Sequence, residues 1–448
     1  MLLQFSVSNF KAFHGLQTLN LAGSNYDKSL LENCITPNLL GLKRRRWVKG
    51  AAIYGANASG KSTLLEALES LASLVRNSAK TTDPEAPITQ IVPFALDPSA
   101  EQTPTAFAIV FLSQGVRYEY RVAATMKIVC HESLRAYPSG KEQLWFSRDV
   151  SQDSRDYTFE PDNPTGLTRD RDVERRTLPN MLYLSKAIAE NRKELEPVFR
   201  WIVNQLVFLD LSAKAGLGGG FTLKELEDKD SPLRDGILSM LQHADLGVGG
   251  AGAVEAVAPT KDVVKILETL SPHFPEEIRK NLLTPRKEPQ LFHKAKGGAL
   301  SPLPWASESA GTHRFFALVG PWLNILRSGQ IVCVDELETS MHPLMVRELL
   351  RLFFSDKHNP NRAQIVFTTH NPLMLDSNLI RRDQVWFTDK DSEGAAHLYS
   401  LLDYQPRQKE SLVRGYLSGR YGAVPFVPEG LLGSFPTLTS SVTEEEER

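Results

Sequence analysis

Gly55-Ala56-Asn57-Ala58-Ser59-Gly60-Lys61-Ser62 has the spacing GxxxxGK[ST] without a gap. Glycine at the two fixed positions lets the backbone turn tightly, so that successive N–H groups face one concavity suited to phosphate. Upstream, Ala51-Ala52-Ile53-Tyr54 is a short apolar run fit for a buried strand. Downstream, Leu64, Leu65, Leu68, Leu71, Leu74 and Val75 recur at helical spacing, which predicts an amphipathic helix over 62–76. The loop thus sits where a phosphate-binding loop must, between a strand and a helix whose N-terminal dipole favours anions. In that setting Gly55, Asn57, Ser59, Gly60, Lys61, Ser62 and Thr63 are the candidate nucleotide contacts. The Lys61 ammonium is a point charge for the β- and γ-phosphates, and the Ser62 hydroxyl is a candidate Mg²⁺ ligand.

Working outward, a second apolar strand, Ile331-Val332-Cys333-Val334, runs into Asp335-Glu336. In a parallel sheet such a strand delivers its acids to the C-terminal edge, where nucleotides bind. Asp335 is the expected metal ligand, and Glu336 the expected general base toward an attacking water. A further strand, Gln364 to Thr368, precedes Thr369-His370, which places His370 at the same edge. The P-loop and the acidic pair point to an α/β fold that binds and hydrolyses ATP with Mg²⁺.

The order and spelling of the remaining motifs resemble ABC-type ATPases of the SMC, RecF and OLD branch. The nearest likeness is to the stand-alone bacterial ATPases of abortive-infection and retron-associated antiphage systems. The opening Phe5-Ser6-Val7-Ser8-Asn9-Phe10-Lys11-Ala12-Phe13 is similar to that branch's first strand and basic turn, and the resemblance implies that Lys11 reaches the phosphates. Glu308-Ser309-Ala310-Gly311-Thr312 resembles its signature, which implies that Ser309 and Gly311, at a helix start, meet a nucleotide held by another subunit. Glu338 to Pro343 resembles the D-loop, and Ile365 to Pro372 the switch-histidine strand, with His370 sensing the γ-phosphate. Arg381 to Phe387 and Tyr416 to Pro425 are similar to segments of the abortive-infection group. The likeness covers 1–76 and 300–428 well and the middle poorly. The Q-loop is left between Gln90 and Gln102.

The resemblance also has departures. No heptad run lies between Lys61 and Ser309, against the long coiled coil of SMC proteins. Too little chain follows His370 for the nuclease domain of OLD proteins, so Asp389-Lys390-Asp391 reads as a turn with solvated acids. His342, before Pro343, reads as a helix-start signal.

Composition sets the outer limits. The chain has 448 residues, with 42% hydrophobic and 23% charged, the balance of a globular protein. Lys+Arg is 51 and Asp+Glu 53, a net charge of -2, so any nucleic-acid contact must come from a local patch. The densest is Lys43-Arg44-Arg45-Arg46-Trp47, where an aromatic beside arginines suits either base stacking or a solvated loop. Cys34, Cys130 and Cys333 are three and scattered, which argues against a disulfide framework or a zinc site. With no long apolar run, the expectation is a cytoplasmic protein without a membrane span.

The expected organisation is an N-terminal part of an ABC ATPase head at 1–132 and an inserted, mostly helical subdomain at 133–300. The C-terminal part of the head follows at 301–430 and an acidic tail at 431–448. Strands are expected at 105–112, 116–124 and 126–132, an exposed insertion at 149–180, helix at 181–210, 224–243, 261–270 and 275–283, and a mobile loop at Gly247 to Gly252. The expected working form is a homodimer of heads around ATP. It would act as the sensor or regulatory subunit of an antiphage system with a separate effector, a nuclease or toxin. A RecF-like dimer that clamps DNA is the alternative, and a scaffold that binds ATP with little turnover is a third.

Overall fold

The computed structural model describes residues 1–37, 45–151, 154–159, 167–209, 219–244, 246–255, 287–407 and 410–425. At its centre is a six-stranded sheet in the order Leu206–Leu209, Ile331–Val334, Gln364–Thr368, Gly50–Gly55, Val385–Lys390, Ala396–Ser400. The first five strands are parallel and the last is antiparallel. Ile331–Val334 and Gln364–Thr368 are buried along their whole length, as strands covered on both faces must be. Register aligns Val334 with Phe367, Thr368 with Ile53 and Thr388 with Gly55. The P-loop, the acidic pair and His370 therefore leave the sheet at one edge.

Alternation along the strands divides the core. Ala51 and Ile53 join Leu64, Leu68, Leu71 and Val75 of the P-loop helix Lys61–Asn77. Ala52 and Tyr54 point the other way, toward Phe315, Phe316 and Trp322 of the helix Ala310–Ser328 and Phe353 of the helix Pro343–Phe354. Beyond the P-loop helix lies a seven-stranded antiparallel sheet, ordered Arg155–Thr158, Gln143–Val150, Val129–Tyr137, Val116–Ala124, Thr105–Ser113, Leu2–Ser8, Gln17–Asn20. Its Phe5, Phe107 and Ile109 close that half of the core. The turn at Gln114-Gly115, with φ 48 and 79, is the two-residue hairpin loop that the sequence marks.

Four expectations change. The antiparallel strands do not stop at 132: Val129–Tyr137 runs through that boundary, and Gln143–Val150 and Arg155–Thr158 follow. The 133–300 region is therefore partly sheet. What hid this is the buried pair on those strands. Glu132 and Arg148 are fully buried, so their charges break the apolar alternation by which strands are recognised. The stretch 149–180 is not wholly an exposed insertion, since Val173, Thr177 and Asn180 within it are buried. Leu206–Leu209, expected as helix, is the edge strand of the central sheet, because a four-residue apolar run carries no decisive period. Finally, the Gly247–Gly252 stretch enters the strand Val248–Glu255, which pairs with Lys287–Lys294, itself paired with Leu300–Leu303. Helices occupy Gly220–Glu227 and Arg234–His243. The helices expected at 261–270 and 275–283, and the acidic tail, lie outside the described residues.

Candidate nucleotide site

The P-loop has no room for larger residues at its glycines. A Cβ on Gly55 would stand 2.5 Å from the Thr388 carbonyl oxygen, and one on Gly60 2.7 Å from the Ala396 Cβ. Gly60 also holds φ 103, a left-handed value that a side chain would strain. Ser59 is buried and its hydroxyl lies 2.7 Å from that of Thr388, which ties the loop to the neighbouring strand. Lys61 arches back over the loop and donates to the carbonyls of Gly55 (3.1 Å) and Ala56 (2.9 Å). Burial lowers its pKa from the ordinary lysine value, against the opposing pull of Asp335, Glu336 and Glu338. Asn57, Ala58 and Ser62 face solvent, and Thr63 is buried under the helix start.

The two halves of the site meet through hydroxyls. Ser62 Oγ donates to Asp335 Oδ2 at 2.8 Å, and Thr368 Oγ1 donates to Asp335 Oδ1 at 2.5 Å. The Glu336 N–H in turn donates to Thr368 Oγ1 at 2.8 Å. Glu336 takes φ 47, so the chain turns sharply after the strand and carries its carboxylate out over the edge. There Glu336 Oε1 lies 3.8 Å from His370 Nε2, and Oε2 accepts the Thr339 hydroxyl at 3.2 Å. A hydroxyl and a carboxylate 2.8 Å apart, beside a lysine and a helix N-terminus, form the donor set that a magnesium nucleotide needs.

The other expected residues have these partners. Lys11, with φ 48, pairs with Glu66 on the P-loop helix at 3.1 Å, while Phe13 and Ala12 of the same turn pack against Gly60. Asn9 of that turn is a buried tie: its amide donates to the carbonyls of Ala100 and Thr103 and accepts from the Phe94 N–H. Ser309 caps the helix Ala310–Ser328, accepting from the Thr312 N–H at 3.0 Å. Gly311 approaches the D-loop so closely that a Cβ would stand 2.9 Å from the Ser340 carbonyl oxygen. Among the described residues no hydrogen bond or ion pair joins 307–312 to the P-loop of the same chain. The side chains of Ser309, Ser340, Asp335 and Glu336 are all exposed. His342 caps the helix Pro343–Phe354 by accepting from the Leu344 N–H at 3.3 Å, a helix-start role. Gln90 donates to Ser73, well along the P-loop helix from Ser62.

Two sequence features lie elsewhere. Trp47 is 5% exposed and paired across strands with Ile35, so its ring is core and not a stacking platform. Lys43 and Arg44 lie outside the described residues. Asp391 forms a turn, accepting from the N–H groups of Glu393 and Ala395, and Asp389 accepts from the Ala423 N–H.

The sequence did not single out Thr368, and it gave Glu338 only as the start of the D-loop stretch without a role. Glu338 Oε1 accepts the His370 N–H at 2.6 Å, so the D-loop holds the histidine's backbone. The available signal was weak: a hydroxyl at the end of an otherwise apolar strand, Ile365-Val366-Phe367-Thr368.

A family model described as "AAA domain, putative AbiEii toxin, Type IV TA system" matches residues 51–376, from the P-loop strand past His370. No curated protein matches the chain. Among solved structures, the SmcHead bound to the C-winged helix domain of ScpA is 11% identical, with a TM-score of 0.41, covering 89% of this chain and 97% of that chain. The Smc head domain with an extended coiled coil bound to the C-terminal domain of ScpA, from Pyrococcus furiosus, is 11% identical, with a TM-score of 0.39, covering 90% and 97%. Among the described residues no helix is long and apolar enough to cross a membrane.

Proposed function

The chain belongs to the AAA-domain family whose model spans residues 51–376, and from that membership we propose that it is an ATP-hydrolysing switch working as a homodimer. In this reading it is the sensor or regulatory subunit of an abortive-infection system, and a separate nuclease or toxin is the effector. The observation that carries the enzymatic part is the unbroken run of contacts from Ser62 through Asp335 and Thr368 to Glu336. Support for the antiphage part comes from the family's description, which names an AbiEii toxin and a type IV TA system, and from the resemblance of the motifs after His370.

In this mechanism the P-loop N–H groups and Lys61 hold the β- and γ-phosphates, with Lys11 as a further cation. Ser62 and Asp335 would hold Mg²⁺, which when bound neutralises charge on the phosphate oxygens. Glu336 accepts the proton of the attacking water, its carboxylate fixed by Thr339 and faced by His370. His370 hydrogen-bonds the γ-phosphate, and Glu338 holds its backbone in place. Ser309 and Gly311 serve the site of the other copy: Ser309 is exposed, Gly311 abuts Ser340, and among the described residues no hydrogen bond or ion pair joins either to the P-loop of their own chain.

The test is phosphate release by the purified chain, beside Lys61→Ala, together with plaque counts in cells carrying this frame and its neighbour. Turnover abolished in Lys61→Ala, and phage protection that needs both frames, is the expected result. An inactive wild-type chain would leave only the scaffold reading. Turnover without protection, but with an ATP-dependent gel shift on DNA, would favour the DNA-clamping alternative.

A further inference from the structure

The signature reaches outward with Ser309, but the residue before it goes the other way. Glu308 is 5% exposed at its side chain, and its Oε1 accepts from His293 Nε2 at 2.8 Å. His293 belongs to the strand Lys287–Lys294, in register with Val248 on one side and Ser301 on the other. It is therefore on the middle strand of the small three-stranded sheet, 15 residues before Glu308 in sequence. The turn Trp305–Ser307 is fastened as well: the Trp305 carbonyl accepts from His313 Nε2 at 2.8 Å, and the two rings stand 4.3 Å apart. On the opposite side Gly311 is in contact distance of Ser340.

The start of the signature helix is thus held between two bodies, the D-loop and the small sheet. On the D-loop side the fit is steric. On the small-sheet side the strand Leu300–Leu303 leads through Pro304 into the turn Trp305–Ser307, and the His293 hydrogen bond adds a tie to the Glu308 carboxylate, which the loss of that donor leaves unsatisfied. A residue that fixes Glu308 fixes the adjoining Ser309, and a displacement of about 1 Å at a transition-state contact costs about 100-fold in rate. We propose that His293 is a positioning residue for hydrolysis: through Glu308 it sets Ser309 for the nucleotide on the other copy, so the small sheet acts on its partner's active site and not on its own. This rests on the reading above that the signature works in trans.

The experiment uses full-length chains mixed in pairs and scored by ATP turnover. His293→Leu, which keeps bulk and loses the donor, is expected to lower kcat by about 10–100-fold while KM stays within about 2-fold. His293→Gln, whose amide N–H can stand for Nε2–H, is expected to recover most of the rate. Lys61→Ala chains are inactive alone. In a mixed dimer the intact P-loop of the His293→Leu chain faces the intact signature of the Lys61→Ala chain, so equal mixing should restore about a quarter of the wild-type rate per chain. If His293 acted only on its own subunit's fold or P-loop, that mixture would stay inactive, and the proposal would be overturned. A parallel mixture of Ser309→Arg with Lys61→Ala separates the two ideas. Recovery there without recovery for His293→Leu removes His293 alone, whereas failure of both removes the in-trans reading itself.

Discussion

Glu336 stands in a left-handed backbone conformation that only its surroundings can impose. Its N–H is spent on the Thr368 hydroxyl, and its side chain is left between Thr339 and His370. Replacing it by glutamine keeps the shape and removes the basic oxygen. Glu336→Gln should still bind ATP, with turnover about 10²–10⁴-fold lower, as measured by phosphate release and by equilibrium binding. Unchanged turnover would take Glu336 out of the mechanism. Thr368→Val is subtler. It preserves volume, but it strips the donor from Asp335 and the acceptor from Glu336 at once, so kcat should fall by about 10–100-fold and the Mg²⁺ concentration for half-maximal rate should rise. Thr368→Ser should restore both. Among these residues, Lys61, Ser62, Asp335 and Glu336 were legible because each follows a local rule, a glycine spacing or an acid after an apolar strand. Thr368 and the role of Glu338 were not, since the partners of these two residues are 33 and 32 residues away. Only strand register brings them together.

At the scale of elements, the helix Ala310–Ser328 does two jobs that constrain different ends. Its body packs Phe315, Phe316 and Trp322 into the core, and the Trp322 indole N–H donates to the Leu349 carbonyl at 3.2 Å. Its first turn carries the signature and touches the D-loop at Gly311. A side chain there has to displace the Ser340 carbonyl, itself on a residue with φ 59. Gly311→Val should therefore leave folding and ATP binding intact, yet cut turnover to a few per cent, because the D-loop shift reaches Glu338 and His370. Wild-type turnover in that variant would show that the D-loop has slack. Elements whose periodicity was clean, the P-loop helix and the parallel strands, were readable in advance. The strands Val129–Tyr137 and Gln143–Val150 were not, because they bury an ion pair. Glu132 accepts from the N–H groups of Tyr183 and Leu184 and from the Tyr120 hydroxyl, while Arg148 donates to the carbonyls of Met181 and Leu178. Burial pushes the Glu132 carboxyl above its ordinary value, opposed by Arg148. Removing the cation alone leaves the buried acid without its counter-charge and takes a donor from the Met181 and Leu178 carbonyls. Arg148→Leu should cost about 3–5 kcal/mol in urea unfolding, a loss that the His293 variants should not show.

At the scale of the whole molecule, the groups assigned to the chemistry are open to solvent. Ser62, Asp335 and Glu336 are exposed, and so are Ser309 and Ser340, while the sheets and helices that position them are buried. A general base works poorly in bulk water, where competing solvent and a high dielectric weaken every interaction it makes. Fast hydrolysis needs these groups covered, and in the proposed dimer the second copy covers them and adds the N-terminus of its own helix Ala310–Ser328 to that of the P-loop helix. Two consequences can be measured. The rate per chain should climb with protein concentration and level off only where dimers dominate, while ATP binding to the P-loop should not depend on concentration below that point. In Glu336→Gln the closed form should accumulate, so that adding Mg-ATP shifts the 50.0 kDa chain to twice its mass in light scattering, and Ser309→Arg should block the shift. A constant rate per chain from a particle that stays monomeric would mean that one head completes its own site, and Ser309 would then need another role.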